Sequence, residues 1–182
     1  MANKGETIRN KYTGEQITWI ETSQDNGGKA LSMDFYVAPK GLVPVRHIHP
    51  NQDEIFEVKS GTLKVEHNGE FKILSKGDIV TIPKGDPHQW WNNSEKEPLE
   101  MNIKLKPARN SEVFFEQLFG LVNDNKTKPD GSPKFLQIMA MSNKYEIYVA
   151  GPPIAIQKAM GFIIGGIAKL LGYKNYYKKY SE

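Results

Sequence analysis

Apolar and polar residues alternate along the first hundred residues with the period of two that is typical of β-strands. In residues 99–105 every second residue is apolar, and the residues between them are Glu, Asn and Lys. Asn68-Gly69 separates two such runs and predicts a two-residue hairpin turn. Many short strands separated by turn residues predict an antiparallel sandwich or barrel. The predicted strands are 16–21, 30–37, 43–49, 54–60, 62–67, 70–74, 78–82, 87–92 and 99–105.

After Pro107 the apolar residues recur at helical spacing instead. Residues 111–122 predict one helix, with Asn110 or Ser111 as its N-cap, and residues 135–145 predict a shorter one. We therefore expect a mainly β barrel domain over residues 1–107. We expect residues 108–182 to form an α-helical C-terminal extension that packs on the barrel or on a dimer mate.

A third helix is predicted from Pro152-Pro153 to Leu171, and Gly161 and Gly165 should let it approach the barrel closely. Only ten uncharged residues lie between Lys158 and Lys169. A membrane-spanning helix needs about 20, so we expect this helix not to cross a bilayer. Packing on the protein is the main interpretation, and contact with a membrane surface is the alternative. The apolar stripe of this helix comprises Ile156, Met160, Ile163, Ile167, Leu170 and Leu171.

Composition excludes several classes of function. The 182 residues include 24 basic and 21 acidic side chains, and a net charge of +3 is too small to predict a nucleic-acid partner. The sequence contains no cysteine, which excludes thiolate ligands, thiol nucleophiles and disulfides. The first residues lack the apolar core of a signal peptide, so a cytoplasmic location is expected.

Candidate chemistry is concentrated around three of the four histidines. His47 and His49 are one residue apart and share a face in a strand, Glu54 follows, and His88 begins a later strand after a Pro- and Gly-rich turn. A metal site, an acid–base pair and a purely structural role are all open at this point. Three imidazoles and a carboxylate suit a divalent transition metal such as Mn, Fe, Co, Ni, Cu or Zn. His67, beside the predicted hairpin turn, is expected to have no function.

The spacing of these residues resembles two motifs of the cupin superfamily. The motifs are written G-x5-H-x-H-x(3,4)-E-x6-G and G-x5-P-x-G-x2-H-x3-N. Their positions are filled here by Gly41, His47, His49, Glu54 and Gly61, and by Gly77, Pro83, Gly85, His88 and Asn92.

The resemblance implies a cupin jelly-roll β-barrel in which His47, His49, Glu54 and His88 bind one divalent metal ion. It also implies a homodimer, because single-barrel cupins commonly pair through their sheets. Trp91, expected on the outer face of its strand, is a candidate for that contact.

Strand alternation also predicts which side chains surround the metal site. An apolar, aromatic pocket favours a small apolar or aromatic ligand over a sugar phosphate, which would need cationic partners. The leading hypothesis is a metal-dependent dioxygenase-type oxidoreductase. The alternatives are a non-catalytic module that senses or stores a metal or small ligand, and an isomerase or lyase that uses the ion as a Lewis acid. The substrate-pocket candidates are Met33, Phe35, Phe56, Trp90, Met101 and Ile103.

Overall fold

The computed structural model describes residues 2–43 and 45–181. Most of its strands precede most of its helices along the chain. The helices are α1 (Ser23–Asn26), α2 (Ser111–Asn123), α3 (Phe135–Tyr145) and α4 (Ile154–Leu170), followed by a 3₁₀ helix (Lys178–Tyr180). The strands are β1 (Thr7–Arg9), β2 (Gln16–Glu21), β3 (Leu31–Val37), β4 (His47–Ile48), β5 (Asp53–Ser60), β6 (Thr62–His67), β7 (Glu70–Ser75), β8 (Ile79–Ile82), β9 (His88–Asn92), β10 (Leu99–Lys106) and β11 (Tyr148–Val149).

Two antiparallel sheets form the body of the molecule. The first has six strands in the order β1-β2-β3-β10-β5-β8, and the second has five in the order β11-β4-β9-β6-β7. One apolar core lies between the sheets and draws buried side chains from both, such as Met33 on β3 and Val65 on β6. The predicted fold class is confirmed: mainly β, of jelly-roll type, with a helical C-terminal segment.

Strand alternation places the core as predicted. Along β10 the apolar side chains are buried, whereas Glu100, Asn102 and Lys104 lie on the opposite face. The predicted hairpin is also confirmed, because β6 ends at His67 and β7 begins at Glu70. Asn68 and Gly69 both have positive φ, of 52° and 90°, as a two-residue hairpin turn of the mirror-image type requires.

The predicted strand over residues 43–49 is regular only at β4, and Pro44 lies outside the described residues. His49 follows the strand rather than belonging to it. Pro50 has no N–H to continue the ladder, which accounts for the early end of the strand.

The C-terminal segment contains a strand that the sequence pattern does not predict. β11 pairs with β4, with Tyr148 opposite Ile48 and Val149 opposite His47. The Ala150 N–H then donates to the carbonyl of Arg46 at 2.9 Å. A two-residue strand leaves no periodic signal, so only the long-range pairing reveals it. The second sheet is thereby completed by residues that follow α2 and α3 in the chain.

Helix α2 packs on the sandwich through its aromatic face. Phe119 is buried in the core, and the ring of Phe115 lies 6.1 Å from that of Phe35, centroid to centroid. The buried Gln52 amide donates to the carbonyls of Pro107 and Ala108 at 2.9 and 3.1 Å, which fixes the chain just before α2. α3 is attached to α2 through a smaller cluster of Leu121, Met141 and Tyr145.

Helix α4 packs on α3 through its small residues. Gly161, Gly165 and Ala168 are the buried positions of α4, and a Cβ at Gly165 would lie 2.5 Å from the carbonyl oxygen of Met139. The two glycines do permit close approach, but the neighbour is α3 and not the barrel as predicted.

The expectation that the α4 stripe buries against the chain's own barrel is wrong. Because the small residues face α3, the large apolar side chains are directed to the opposite side. Ile163 is 61% exposed and Leu170 is 89% exposed. Burial against a dimer mate stays a prediction. Among the residues that the structure describes, no helix is long and apolar enough to cross a bilayer.

Candidate metal centre

The structure brings together the four predicted site residues between the two sheets. His47 on β4 is paired in register with His88 on β9 in the five-stranded sheet. Glu54 comes from β5 in the six-stranded sheet, and His49 follows β4. All four are buried, and one ligand atom from each lies within 4.8 Å of the others. Their role as ligands stays a prediction.

Backbone pairing explains why the imidazoles converge. The His47 and His88 ring centroids are 4.3 Å apart because the two residues face each other across adjacent strands. Beyond β4, the carbonyl of His49 accepts the Gly85 N–H at 2.9 Å, which ties His49 to the turn before β9. His67 is outside the cluster, with its Nε2 atom 2.8 Å from Asp86 Oδ2.

Carbonyl groups orient two of the imidazole rings. Nδ1 of His47 lies 3.0 Å from the Val45 carbonyl oxygen, and Nδ1 of His88 lies 3.1 Å from that of Asp86. Since a carbonyl oxygen only accepts, each Nδ1 carries the hydrogen, and Nε2 is directed into the cluster. This arrangement is typical of metal-binding histidines, whose second nitrogen donates to a carbonyl or carboxylate.

Glu54 supplies the negative charge of the cluster. Its Oε2 atom lies 2.7 Å from His88 Nε2 and 3.4 Å from His49 Nε2. Burial alone would raise the pKa of Glu54, but hydrogen bonds and charge interactions with His49 and His88 hold the pKa well below its usual value. The side chain is therefore a carboxylate at neutral pH.

The two paired histidines differ in protonation. Burial, together with the nearby charges of His49 and His88, lowers the pKa of His47 to about 3, so its ring is neutral. Burial also acts to lower the pKa of His88, but the hydrogen bond to Glu54 outweighs it and the pKa is raised. At and below pH 6.5, the usual histidine pKa, His88 thus donates from both ring nitrogens, to Asp86 and to Glu54.

The donor set fits a divalent transition metal. Three imidazole nitrogens and one carboxylate oxygen are ligands that ions from Mn²⁺ to Zn²⁺ accept, and their burial keeps competing water away. Nδ1 of His49 is buried and has no hydrogen-bond partner within the described residues. A buried polar group without a partner is costly, and such groups are rare in ordinary core.

Comparison with known proteins agrees with this geometry. The sequence profile of the cupin domain matches residues 33–103, which contain all four clustered side chains. These residues form a cupin domain. The fold resembles that of an RmlC-like cupin from Shewanella frigidimarina, with a TM-score of 0.50, 18% sequence identity, and coverage of 58% of this chain and 87% of that one.

Two curated relatives extend the comparison. An oxidoreductase of Arthrobotrys oligospora is 27% identical over 157 residues, covering 78% of this chain and 60% of that protein. Germin-like protein 8-2 of Oryza sativa subsp. japonica is 34% identical over 110 residues, covering 54% of this chain and 48% of that protein. The chain thus spans about half to three fifths of the length of these relatives.

Apolar and aromatic side chains form the core of the cupin domain, and the six predicted pocket residues belong to it. Each of the six predicted pocket residues is at most 5% exposed. Phe35 and Trp90 meet edge to face at 5.8 Å, and Phe115 of α2 extends this group beyond the residues predicted from sequence. Their contact with a substrate stays a prediction. The six residues are Met33, Phe35, Phe56, Trp90, Met101 and Ile103.

An ion pair that the sequence pattern does not predict fixes the chain beside His47. Arg46 Nε lies 2.6 Å from Glu66 Oε2 and Arg46 Nη2 lies 3.0 Å from Glu66 Oε1, and Glu66 is itself buried on β6. A two-point contact of this kind fixes orientation as well as position. The two residues are 20 positions apart in sequence, so no local pattern predicts the pair.

Proposed function

We propose that this cupin-domain protein is a metal-dependent oxidoreductase of dioxygenase type that acts on a small apolar or aromatic molecule. The observation that carries the proposal is the buried His47–His49–Glu54–His88 cluster inside an apolar, aromatic core. The relative from Arthrobotrys oligospora, named as an oxidoreductase, supports it.

The four clustered side chains would hold one divalent ion. When bound, a redox-capable ion with open coordination positions supplies a common site for substrate and dioxygen. Glu54 contributes the only carboxylate of the cluster and lowers its net positive charge. The carbonyls of Val45 and Asp86 keep the rings of His47 and His88 directed inward. The protein therefore presents the donors with little reorganisation, and its aromatic groups exclude bulk water.

An apolar substrate follows from the groups near the cluster. A phosphorylated sugar would need cationic or backbone donors around its charge. Arg46, the cationic residue next to His47, is paired with Glu66 instead. The buried aromatic pair of Phe35 and Trp90 adds no charged partner for a phosphate.

Dioxygen uptake tests the proposal. The protein, with the metal it acquires in its own host, is supplied with phenolic and diketone compounds, and oxygen consumption is followed. We expect uptake with at least one compound class, its loss in His88→Ala, and unchanged uptake in the matched control His67→Ala. Bound metal without uptake for any compound would favour a binding or Lewis-acid function. Uptake that persists in His88→Ala would place the chemistry elsewhere.

A further inference from the structure

The exposed face of α4 is an apolar surface that lies outside the cupin domain. Apolar side chains recur at intervals of three or four residues along it. Phe162 is 79% exposed, and Leu171, just after the helix, is 64% exposed. Contiguous apolar surface of this kind on a folded protein marks an interaction site. The exposed side chains are Ile156, Met160, Phe162, Ile163, Ile167, Leu170 and Leu171.

The charged side chains of α4 itself are two lysines, Lys158 and Lys169, and no carboxylate. Residues 147–181 contain five lysines and no acidic residue. The acidic residue just before this segment, Glu146, is paired with Arg109. The apolar face is therefore bordered by positive charge, and its complement is an apolar surface that carries negative charge.

A groove between α3 and α4 combines both properties. Its volume is about 730 Å³, and it is lined by Phe162 and Leu170 together with Lys144 and Lys169. Apolar walls beside two ammonium groups suit an acyl chain and the anionic headgroup attached to it. Amphipathic helices that lie in a membrane interface have this combination of large apolar side chains and lysines.

We propose that α4 docks the protein on an anionic lipid surface. The helix lies flat, with its glycine face on α3 and its apolar face among the lipid chains, and Lys158 and Lys169 reach the headgroups. A second copy of the chain fits less well as the occupant. Two α4 faces brought together would bring like charges of Lys158 and Lys169 close to each other, and α4 itself carries no carboxylate to offset them.

Vesicle sedimentation tests this docking with the full chain. We expect the protein to sediment with phosphatidylcholine vesicles that contain phosphatidylserine, and to be released by salt. The double variant Phe162→Gln/Leu170→Gln should lower the affinity for these vesicles by a factor of about ten or more, because it removes two large apolar side chains from the interface. The substitutions Lys158→Gln and Lys169→Gln should each lower the affinity for the vesicles about fivefold.

A matched control distinguishes binding through this face from nonspecific adsorption of exposed apolar side chains. Ile79 on β8 is 61% exposed, so Ile79→Gln removes a comparable apolar side chain away from α4 and should leave sedimentation unchanged. Because the substituted side chains are exposed, circular dichroism should show all variants folded. No sedimentation, or equal sedimentation with pure phosphatidylcholine, would overturn the proposal. A dimer that Phe162→Gln/Leu170→Gln converts to monomer would assign the face to a second copy and would also overturn it.

Discussion

Val149 and His47 are paired in register across two antiparallel strands, so the C-terminal segment supports the backbone of a candidate metal ligand. β4 is only two residues long, and its pairing with β9 consists of His47 opposite His88. The neighbouring Ala150 N–H adds a hydrogen bond to the Arg46 carbonyl. Residues beyond the sandwich therefore contribute to the placement of His47.

Replacing Ala150 with proline removes that N–H donor and loosens β4. We expect Ala150→Pro to lower the affinity for a divalent ion about tenfold. This is the smaller of the effects that follow when the contacts supporting a metal ligand are lost. Ala155→Pro is the matched control, because proline is tolerated in the first turn of α4, where the N–H groups have no partner within the helix. Titration calorimetry measures both. Equal affinities in the two variants would show that β11 does not position His47.

The packing of α4 on α3 predicts opposite effects for two glycines. A Cβ at Gly165 would lie 2.5 Å from the Met139 carbonyl oxygen, so Gly165→Ala must shift backbone and should lower the free energy of unfolding by about 1–3 kcal/mol. Gly166 has open space around it, and Gly166→Ala should raise the free energy of unfolding by about 0.5–1 kcal/mol through helix propensity. Urea denaturation measures both. A Gly165→Ala variant as stable as Gly166→Ala would contradict the close approach of the helices.

Metal binding should release a proton from His88. The pKa of His88 is raised in the metal-free protein, so its ring is protonated near the usual value of 6.5 and must lose that proton to bind an ion. The pKa of His47, about 3, and the lowered pKa of Glu54 leave those groups deprotonated there. Affinity should therefore fall as pH falls through the raised pKa of His88.

Calorimetry in buffers with different ionisation heats counts the released protons. We expect protons to be released at pH 6.5, the usual histidine pKa, and the number released per ion to fall as the pH rises past the raised pKa of His88. Glu54→Gln removes the group that raises this pKa, so the release should diminish at the same pH. Binding without proton release in the unaltered protein would show that His88 is not a ligand.

The second sheet predicts where a homodimer would form. β7 is an edge strand, and its Phe71 and Ile73 side chains are 61% and 62% exposed. Phe71 lies beside Trp91, with their ring centroids 6.1 Å apart. Exposed apolar edge strands favour pairing with another chain. Light scattering should give a dimer, and Phe71→Lys/Ile73→Lys should give a monomer. A monomeric unaltered protein would contradict this prediction.

Local spacing was sufficient to predict most of the sandwich and the composition of the cluster. The alternation in β10 and the Asn68-Gly69 turn depend on neighbours in sequence, and the histidine spacing combines a strand period with a turn. The cluster itself forms because β4 pairs with β9. The spacing of His47 and His88 from their motif glycines does not by itself predict this pairing.

The remaining features depend on which surfaces meet. The pattern of α4 predicts a helix, but both its glycine face and its large apolar face were candidates for burial. Only the fit of Gly165 against Met139 decides that the glycine face is buried. The Arg46–Glu66 pair and β11 likewise join residues that are far apart in sequence. The periodicity of apolar residues along the sequence does not predict such contacts.

Metal content tests the central claim most directly. Elemental analysis of the protein purified from its host is compared with that of His47→Ala/His88→Ala and of the control His67→Ala, each confirmed as folded by circular dichroism. We predict about one transition-metal ion per chain in the unaltered protein and in His67→Ala, and its loss in the double variant, because two of the four donors are gone. A folded double variant that keeps a full complement of metal would contradict the assignment of His47, His49, Glu54 and His88 as the metal site.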